Sequence, residues 1–263
     1  MDDEVVALWK RAAATYETEV PYFRLMGERI VAHAELSPGE TVLDVACGKG
    51  ATLVHAARAV GDKGRVLGVD IVEDMVQGTR RAIAAAGLSN ASAKVMDGEA
   101  LELPDASFDV VIMAFGLGFM RPERALPEAA RVLRRPGRFV TSVPAGGGEE
   151  WAFFGDLCQQ FGLVPRHLPG GSGLPSPDAV ANMFGAAGFS LRPPVQDSVT
   201  VVFDSEASWW RWVWSHGQRG FLEQLADDRV DEFKDAAFSA LRSFTTPSGI
   251  PLEQQFLVLK ATV

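Results

Sequence analysis

The sequence predicts an α/β fold, in which helices cover both faces of a mostly parallel sheet. Two observations lead to this prediction: short apolar runs rich in β-branched residues alternate with longer Ala-rich amphipathic stretches, and glycine or proline separates one from the next. Strands joined through helices by right-handed crossovers run parallel in a sheet that is buried on both faces. Apolar residues make up 47% of the 263 residues and charged residues 22%, which is typical of a globular chain.

Seven short apolar runs are predicted to be strands, because turn residues bound each of them. In chain order they are 41–45, 65–69, 93–96, 108–113, 138–143, 195–203 and 255–263. The amphipathic stretches between them are predicted helices, at 51–60, 73–86, 122–134, 149–161, 177–188 and 227–244. Gly61 and Gly87 follow the first two helices, where a left-handed C-cap is favoured. Pro122 opens the third helix, where a missing N–H is tolerated.

Charge and composition exclude several classes of protein. With 25 basic and 34 acidic side chains the formal charge is −9, so nucleic acid is not expected as a partner. Residues 1–4 lack the cationic start of a secretory signal, and the longest apolar run, 110–120, is too short to span a membrane. Cys47 and Cys158 have no metal-ligand or disulfide-framework spacing. We expect a cytoplasmic protein with reduced cysteines, no metal and no membrane partner.

The chain is expected to divide into three parts. A helical cover occupies 1–38, a ligand-binding core 39–145, and the rest, 146–263, contains the last two strands with an inserted helical cap for substrate recognition. Gly/Pro-rich segments at 144–148 and 165–177 flank a short helix, a pattern typical of a mobile cover more than of a linker.

The first predicted strand passes into a helix through a loop of small residues. Ala46, Gly48 and Gly50 let a ligand approach the backbone closely. A dinucleotide fingerprint would be GxGxxG, with its third glycine for close packing of the helix on the strand. Here position 46 is Ala and position 53 is Leu, which disfavours a nicotinamide or flavin cofactor. Asp44, beside the loop, is poorly suited to a pyrophosphate and suits a cationic ligand.

This run, Asp44-x-Ala46-x-Gly48-x-Gly50, resembles the first motif of the class I S-adenosylmethionine-dependent methyltransferases, with alanine replacing the first glycine. The resemblance implies a Rossmann-like, doubly wound sheet of seven strands, mostly parallel with one antiparallel strand, and a helical cap. It also implies S-adenosylmethionine as cofactor, S-adenosylhomocysteine as product and no metal. The loop backbone would hold the amino-acid end of the cofactor, and Asp44 would orient the loop and the ammonium group. A tight turn without a ligand is the alternative.

The ends of the next strands carry further motifs of the same family. By resemblance, Asp70 would bind both ribose hydroxyls, while Ile71 and Met75 would sandwich the adenine ring. For Met75, simple core packing is the alternative. Asp97 would take the adenine amino group and the backbone of Gly98 the ring, unless Asp97 is only a solvated turn carboxylate.

Two more stretches complete the resemblance. Ala114 ends the fourth strand and is predicted to contact the cofactor, and 128–137 resembles the family's E-x-x-R-V-L-R-P-G. The resemblance covers residues 40–145. It implies the identity of the cofactor but not that of the methyl acceptor.

Methyl transfer is an in-line displacement that depends on alignment, and a general base matters only for a phenol, hydroxyl or protonated amine acceptor. His216 is the predicted base. His33 and His55 lie in Ala-rich helix patterns and His167 in a Gly/Pro loop.

Aromatic residues cluster in two segments expected to lie near the acceptor. At helical spacing, Trp212 and His216 share one face, and this face is expected to line the acceptor pocket or a subunit contact, unless the helix is a cap packed on both sides. Tyr22, Phe115 and Phe119 are the other predicted acceptor contacts.

Tyr16, ahead of the first strand, is predicted to meet the carboxylate end of the cofactor, as in the family. A helix that merely covers the edge of the sheet is the alternative.

The leading functional interpretation is a small-molecule O- or N-methyltransferase of secondary metabolism. A quinone-type C-methyltransferase is close behind, because Ala114-Phe115-Gly116-Leu117 resembles the fourth motif of those enzymes. A cyclase or regulator that binds S-adenosylmethionine without transferring methyl, and an NAD-dependent oxidoreductase, are further alternatives. The expected partner is a small-molecule acceptor, and a homodimer is left open.

Overall fold

The computed structural model describes residues 1–147, 149–164 and 176–263. His167 and most of the second Gly/Pro-rich segment lie outside the described residues. Within the described ranges, eight strands form one sheet. They are β1 Thr41–Val45, β2 Arg65–Asp70, β3 Ala91–Val95, β4 Phe108–Ala114, β5 Leu133–Gly147, β6 Ser190–Leu191, β7 Val195–Phe203 and β8 Ile250–Thr262.

The strand order is β3-β2-β1-β4-β5-β8-β6, and β7 also pairs with β8. Strands β1 to β5 are parallel neighbours, whereas β8 is antiparallel to β5. Both β6 and β7 are antiparallel to β8, so β8 alone among the described strands runs against the rest. The predicted doubly wound, Rossmann-like sheet with one antiparallel strand is confirmed.

The sheet has eight strands where seven are predicted, because two separate strands, β6 and β7, pair with β8. Strands β6 and β7 lie along the same edge of β8, where Leu191 pairs with Ala261 and Val195 with Val258. Between them Arg192 still donates to the carbonyl of Lys260 at 2.8 Å, but residues 193 and 194 are prolines. Proline has no N–H to donate to a ladder, so the strand is interrupted there.

Helices lie before, between and after the strands. They are α1 Asp3–Ala12, α2 Tyr22–Ala34, α3 Ala51–Val60, α4 Glu73–Ala85, α5 Pro122–Val132, α6 Glu149–Gln160, α7 Pro177–Ala186, α8 Glu206–Val213, α9 Arg219–Leu222 and α10 Asp227–Arg242. Helix α5 ends two residues earlier than the predicted Arg134, because Leu133 adopts extended backbone and pairs with Phe108.

Alternate residues of the central strands bury their side chains in two separate cores. Val42 and Val110 pack in one core with Ala56 of α3, and Leu43 and Val111 pack in the other with residues of α5. Such alternation follows from the two-residue period of a strand. Helices on both faces therefore hold the sheet rigidly, and its strand ends are fixed relative to one another.

The carboxyl-terminal helices pack on one another and on the antiparallel end of the sheet. Helix α10 contacts α6 and α8, while α6 contacts β5 and β8. Trp209, Trp212 and Phe233 are almost completely buried between these elements. None of the helices in the described ranges has the length and apolar character to cross a membrane.

Candidate methyl-transfer site

A cavity lies at the carboxyl ends of β1, β2 and β4, where ligands of parallel sheets bind. Seven of the predicted cofactor residues lie in its wall: Ala46, Gly48, Asp70, Ile71, Met75, Gly98 and Ala114. Tyr16 lines the same cavity from the segment that follows α1. The strand ends thus bring together residues that are far apart in the sequence.

Three predicted cofactor residues lie outside this wall. Asp44 is buried beneath the loop after β1. Gly50 is the N-cap of α3, and a Cβ atom added to it would lie 3.2 Å from Thr79 Cγ2. Asp97 instead accepts a hydrogen bond from the α-ammonium of Met1 at 2.8 Å. Met1 itself lines the cavity, so the amino-terminal segment reaches the edge where Asp97 lies.

The loop after β1 is held to the next strand by hydrogen bonds. The N–H of Gly48 donates to Asp70 Oδ2 at 2.9 Å, and the N–H of Cys47 donates to the carbonyl of Val69 at 3.0 Å. Gly48 has a φ of 54°, and a Cβ there would lie 3.5 Å from the Tyr16 hydroxyl oxygen. Glycine at this position keeps the loop backbone open to a ligand between the strand ends and Tyr16.

Ala46 is strained, because its φ of 57° lies in the left-handed region that favours glycine. It occupies the position where the resembling family has glycine. We therefore expect Ala46→Gly to stabilise the protein by about 1 kcal/mol, or to raise Tm by roughly 2–4 °C. Thermal unfolding measures this. As a control, Ala84→Gly in α4, at an exposed helical position, should lower stability by about 1 kcal/mol. A decrease in Tm for Ala46→Gly would contradict the expectation.

Asp70 is half-buried and bridges two backbone segments in the cavity wall. Its Oδ2 accepts from Gly48 and its Oδ1 accepts from Val72 at 3.0 Å. Burial raises the pKa of Asp70, and these N–H donors oppose that rise. A carboxylate has about four lone-pair directions, so two remain for ligand hydroxyls.

Asp44 is a buried carboxylate without a counter-charge. It is 1% exposed, and neither oxygen makes a hydrogen bond to a described residue. Burial, and then the charge of Asp70, raise the pKa of Asp44 well above its ordinary value, while the nearby N–H of Leu53 offsets a small part without completing a hydrogen bond. Lys49, in the loop, donates to the carbonyl oxygen of Tyr16 at 3.2 Å. Neither Asp44 nor Asp70 has an opposite charge among the described groups that shift its pKa, so the two carboxyl groups favour a positively charged ligand.

The raised pKa of Asp44 predicts a pH dependence of stability. A carboxyl that binds its proton more tightly in the folded state stabilises the protein at low pH and loses that contribution as pH rises through the folded pKa. Asp44→Asn should therefore gain stability relative to the unchanged protein as pH rises above about 4, by at most about 1.4 kcal/mol per pH unit.

Thermal unfolding of the ligand-free proteins between pH 4 and pH 8 tests this expectation. The exposed Asp74→Asn in α4 is the matched control and should change Tm little at any pH. Parallel pH curves for Asp44→Asn and the unchanged protein would contradict the expectation.

On the side of the cavity next to β3, apolar residues and a close backbone form a narrow slot. Ile71 and Met75 lie in the wall, and Met75 is 2% exposed. A Cβ at Gly98 would lie 2.7 Å from Val45 Cγ1 and 2.9 Å from Met120 Cε. A side chain at position 98 would therefore collide with its neighbours. The bare backbone of Gly98 would let the edge of a flat ring approach closely.

His216 lies in the cavity wall and is 4% exposed. Neither ring nitrogen makes a hydrogen bond to a described residue. Burial lowers the pKa of His216 to about 3, a shift that the carbonyl groups of Val213 and Trp212 oppose only in part. The imidazole is therefore neutral across the physiological range, with one nitrogen able to accept a proton.

Trp212 and His216 lie close together, with their ring centroids 4.2 Å apart. They do not share the predicted helical face, because α8 ends at Val213 and His216 lies in the turn that follows. Trp212 is 1% exposed and does not line the cavity; it packs against Phe203 at a centroid distance of 5.2 Å. Of these two residues His216 alone lines the cavity, and an acceptor contact of Trp212 stays a prediction.

Much of the remaining cavity wall is aromatic. Tyr22, Phe115 and Phe119 all line it, where the sequence places acceptor contacts. Trp9 lines it too and meets the ring of Phe119 edge-on at a centroid distance of 5.1 Å. Phe115 has a φ of 56°, a left-handed conformation that is uncommon for a bulky residue.

Sequence reasoning missed Gln254 of β8, which also lines the cavity. A signal exists in the sequence, because Gln254 is a polar residue in the middle of an alternating apolar row. It was overlooked because the predicted strand began at Gln255, one residue too late. Among the described residues, no three His, Cys, Asp or Glu side chains are grouped as a metal site would need.

Comparisons with known sequences identify relatives of the chain. A methyltransferase domain family matches residues 42–137. Nocamycin O-methyltransferase from Saccharothrix syringae is 32% identical over 238 residues, covering 84% of this chain and 85% of the relative. Aklanonic acid methyltransferase DauC from Streptomyces sp. strain C5 is 37% identical over 174 residues, covering 63% and 77%.

Other matches are shorter or more distant. Demethylmenaquinone methyltransferase from Symbiobacterium thermophilum is 40% identical over 114 residues, covering 42% of this chain and 45% of the relative. Among solved structures, the YcgJ protein from Bacillus subtilis superposes with a TM-score of 0.61 at 19% identity, covering 90% of this chain and 98% of that chain. This last likeness shows the fold alone.

Proposed function

The chain belongs to the class I S-adenosylmethionine-dependent methyltransferases, and on that premise we propose that it methylates an O or N atom of a small molecule in secondary metabolism. The observation that carries the proposal is one cavity whose wall contains both kinds of residue that methyl transfer needs. We assign the part with Asp70 and the backbone of the loop after β1 to the cofactor, as the cofactor half, and the part with aromatic rings and the neutral His216 to the acceptor, as the acceptor half. The proposal places the enzyme in the cytoplasm.

The residues present fit the cofactor. Asp44 places beneath the loop a buried carboxyl group without a hydrogen-bond partner among the described residues, and a cationic ligand would stabilise its ionised form. The loop leaves its backbone open at Gly48. Asp70 would hold the ribose, and Ile71 with Met75 would cover the adenine, while Tyr16 closes the amino-acid end. When bound, S-adenosylmethionine supplies an electrophilic sulfonium methyl group.

The acceptor half of the cavity would align the acceptor and exclude water. Phe115 and Phe119 lie just past β4, next to Ala114 in the wall, so rings stacked there would lie beside the cofactor half. In the proposal, His216 accepts the proton that a hydroxyl loses as it attacks, or the proton that a protonated amine loses before it attacks. Holding two reactants in line in a dry cavity contributes several kcal/mol to catalysis.

A quinone-type C-methyltransferase is the second candidate, because the demethylmenaquinone enzyme is the relative with 40% identity. That match, however, spans less than half of either chain. The O-methyltransferase match spans 84% of this chain and 85% of the relative. Extended similarity of this kind favours transfer to oxygen.

The test has two parts. Calorimetry should show binding of S-adenosylmethionine to the purified protein. Formation of S-adenosylhomocysteine should then be measured with a phenol, a carboxylic acid, an amine and a 1,3-diketone as acceptors, and the methylated atom assigned by NMR. Turnover with the oxygen or nitrogen acceptors supports the proposal. Turnover with the diketone at carbon alone supports the second candidate, and cofactor binding without product supports a cyclase or regulator.

Sedimentation of the same protein would settle the oligomeric state, which the proposal leaves open between a monomer and a homodimer.

A further inference from the structure

Strand β8 carries one polar side chain in its inward-facing row. Ile250, Leu252, Phe256 and Val258 are buried at every second position, and Gln254 is the fifth member, at 8% exposure. A buried amide costs free energy unless its donors and acceptors find partners. Glutamine in the centre of an apolar row therefore indicates a binding role for its amide.

The amide group of Gln254 makes two hydrogen bonds within the protein. The Tyr22 hydroxyl donates to Gln254 Oε1 at 3.2 Å, and Gln254 Nε2 donates to the carbonyl of Glu253 at 3.3 Å. An amide nitrogen has two N–H donors. The second has no hydrogen-bond partner among the described residues, and Gln254 lies in the cavity wall.

The surroundings of this N–H belong to the acceptor half of the cavity. Tyr22 is buried and meets the ring of His216 edge-on at a centroid distance of 5.9 Å. Tyr22, on helix α2, therefore contacts both Gln254 and the proposed base. Because the Tyr22 hydroxyl donates to the amide oxygen, the group that Gln254 has left to offer a ligand is an N–H.

Charges are absent from this half of the wall. Of the described residues lining the cavity, Asp70 has the one charged side chain, and it lies in the cofactor half. The α-ammonium of Met1 is paired with Asp97 and Glu99. His216 is neutral, since burial lowers its pKa to about 3. An ionised acceptor would be desolvated here without a counter-ion, so an uncharged acceptor is favoured.

We propose that Gln254, held by Tyr22, donates its free N–H to a carbonyl oxygen of the acceptor, so that the enzyme selects uncharged, ring-bearing ketones. This inference rests on the proposed function. A carbonyl oxygen only accepts, which matches an unpaired N–H. An acceptor without that oxygen would leave the N–H unpaired in a buried place, and sites of this kind reject the analogue strongly.

The test compares two planar three-ring probes, 9-fluorenone and fluorene, which differ by the carbonyl oxygen and do not ionise at neutral pH. Their dissociation constants are measured by equilibrium dialysis in the presence of saturating S-adenosylhomocysteine. We expect the unchanged protein to bind fluorenone at least about tenfold more tightly than fluorene. Equal affinities, or no measurable binding of either probe, would overturn the inference.

Variants of Gln254 test whether this residue causes the preference for fluorenone over fluorene. Gln254→Leu is expected to bind the two probes with affinities within about threefold of each other. Gln255→Leu is the matched control: Gln255 is the next residue on the opposite face of β8, where it bonds to Gln196, and the preference should remain. The double variant Tyr22→Phe with Gln254→Leu removes both polar partners at once, which lessens the risk of misfolding, and should also lose the preference.

A preference retained in both variants of Gln254 would overturn the inference, whatever the activity of the enzyme. Calorimetry with S-adenosylhomocysteine separates this failure from that of the proposed function. If every variant binds S-adenosylhomocysteine as the unchanged protein does, the cofactor half is intact and the probes report on Gln254 alone. If the unchanged protein does not bind it, the proposed function itself fails.

Discussion

Replacing Asp70 by Asn is expected to weaken binding of S-adenosylmethionine at least about 100-fold, or by roughly 3 kcal/mol. Two hydrogen bonds from ribose hydroxyls to a carboxylate would become weaker bonds to a neutral amide. The substitution would also weaken the attachment of the loop after β1, because in the unchanged protein the N–H of Gly48 donates to Asp70 Oδ2 at 2.9 Å. An Asn side chain has a single oxygen, so it cannot serve both Gly48 and Val72.

Isothermal titration calorimetry gives the two dissociation constants directly. The ligand-induced rise in Tm checks them, since it scales with the logarithm of ligand concentration over the dissociation constant. Asp74→Asn removes the same charge four residues later from an exposed position on α4, and its affinity should match that of the unchanged protein. Near-equal affinity of the Asp70 and Asp74 variants would remove Asp70 from the cofactor site.

The cofactor half of the site could be predicted largely from the sequence, because most of its residues lie at the end of a strand or just after it. Parallel strands place their carboxyl ends at one edge, so Gly48, Asp70 and Ala114 must meet once the β-α order is recognised. Asp97 also follows a strand, but its ion pair with Met1 joins residues 96 positions apart. No local pattern predicts such a contact.

The acceptor half was predicted less well, since its geometry depends on how separate elements pack. A helical wheel places Trp212 and His216 on one face, but α8 ends at Val213, and the contact between the two rings depends on the turn that follows the helix. Gln254 reaches the cavity because β8 inserts beside β5, far from it in the sequence. The interruption between β6 and β7, in contrast, was readable from the two adjacent prolines.

A second large effect is expected at His216, where substitution by Gln should reduce turnover by about 100-fold while the affinity for S-adenosylmethionine stays unchanged. The glutamine side chain is similar in size and keeps a hydrogen-bonding group, but it lacks a basic nitrogen. His55→Gln is the control, because His55 lies outside the cavity wall on α3 and should leave turnover intact.

The pH dependence of turnover follows from the burial of His216. Because the pKa of His216 is lowered to about 3, the ring is already neutral at pH 5, and the turnover of the unchanged enzyme should show no ionisation near pH 6.5 from this residue. The proton that His216 accepts would restore the positive charge that the sulfonium loses, so the buried site would keep its net charge throughout the reaction.

Stability provides an independent readout of the same burial. A histidine with a lowered folded pKa contributes stability above its unfolded pKa of about 6.5 and loses it as pH falls toward 3. His216→Gln should therefore lose less stability than the unchanged protein between pH 6.5 and pH 4. If the variant shows this altered acid sensitivity and yet turns over within about threefold of the unchanged enzyme, His216 is buried as described but water, not the imidazole, takes the proton of the acceptor.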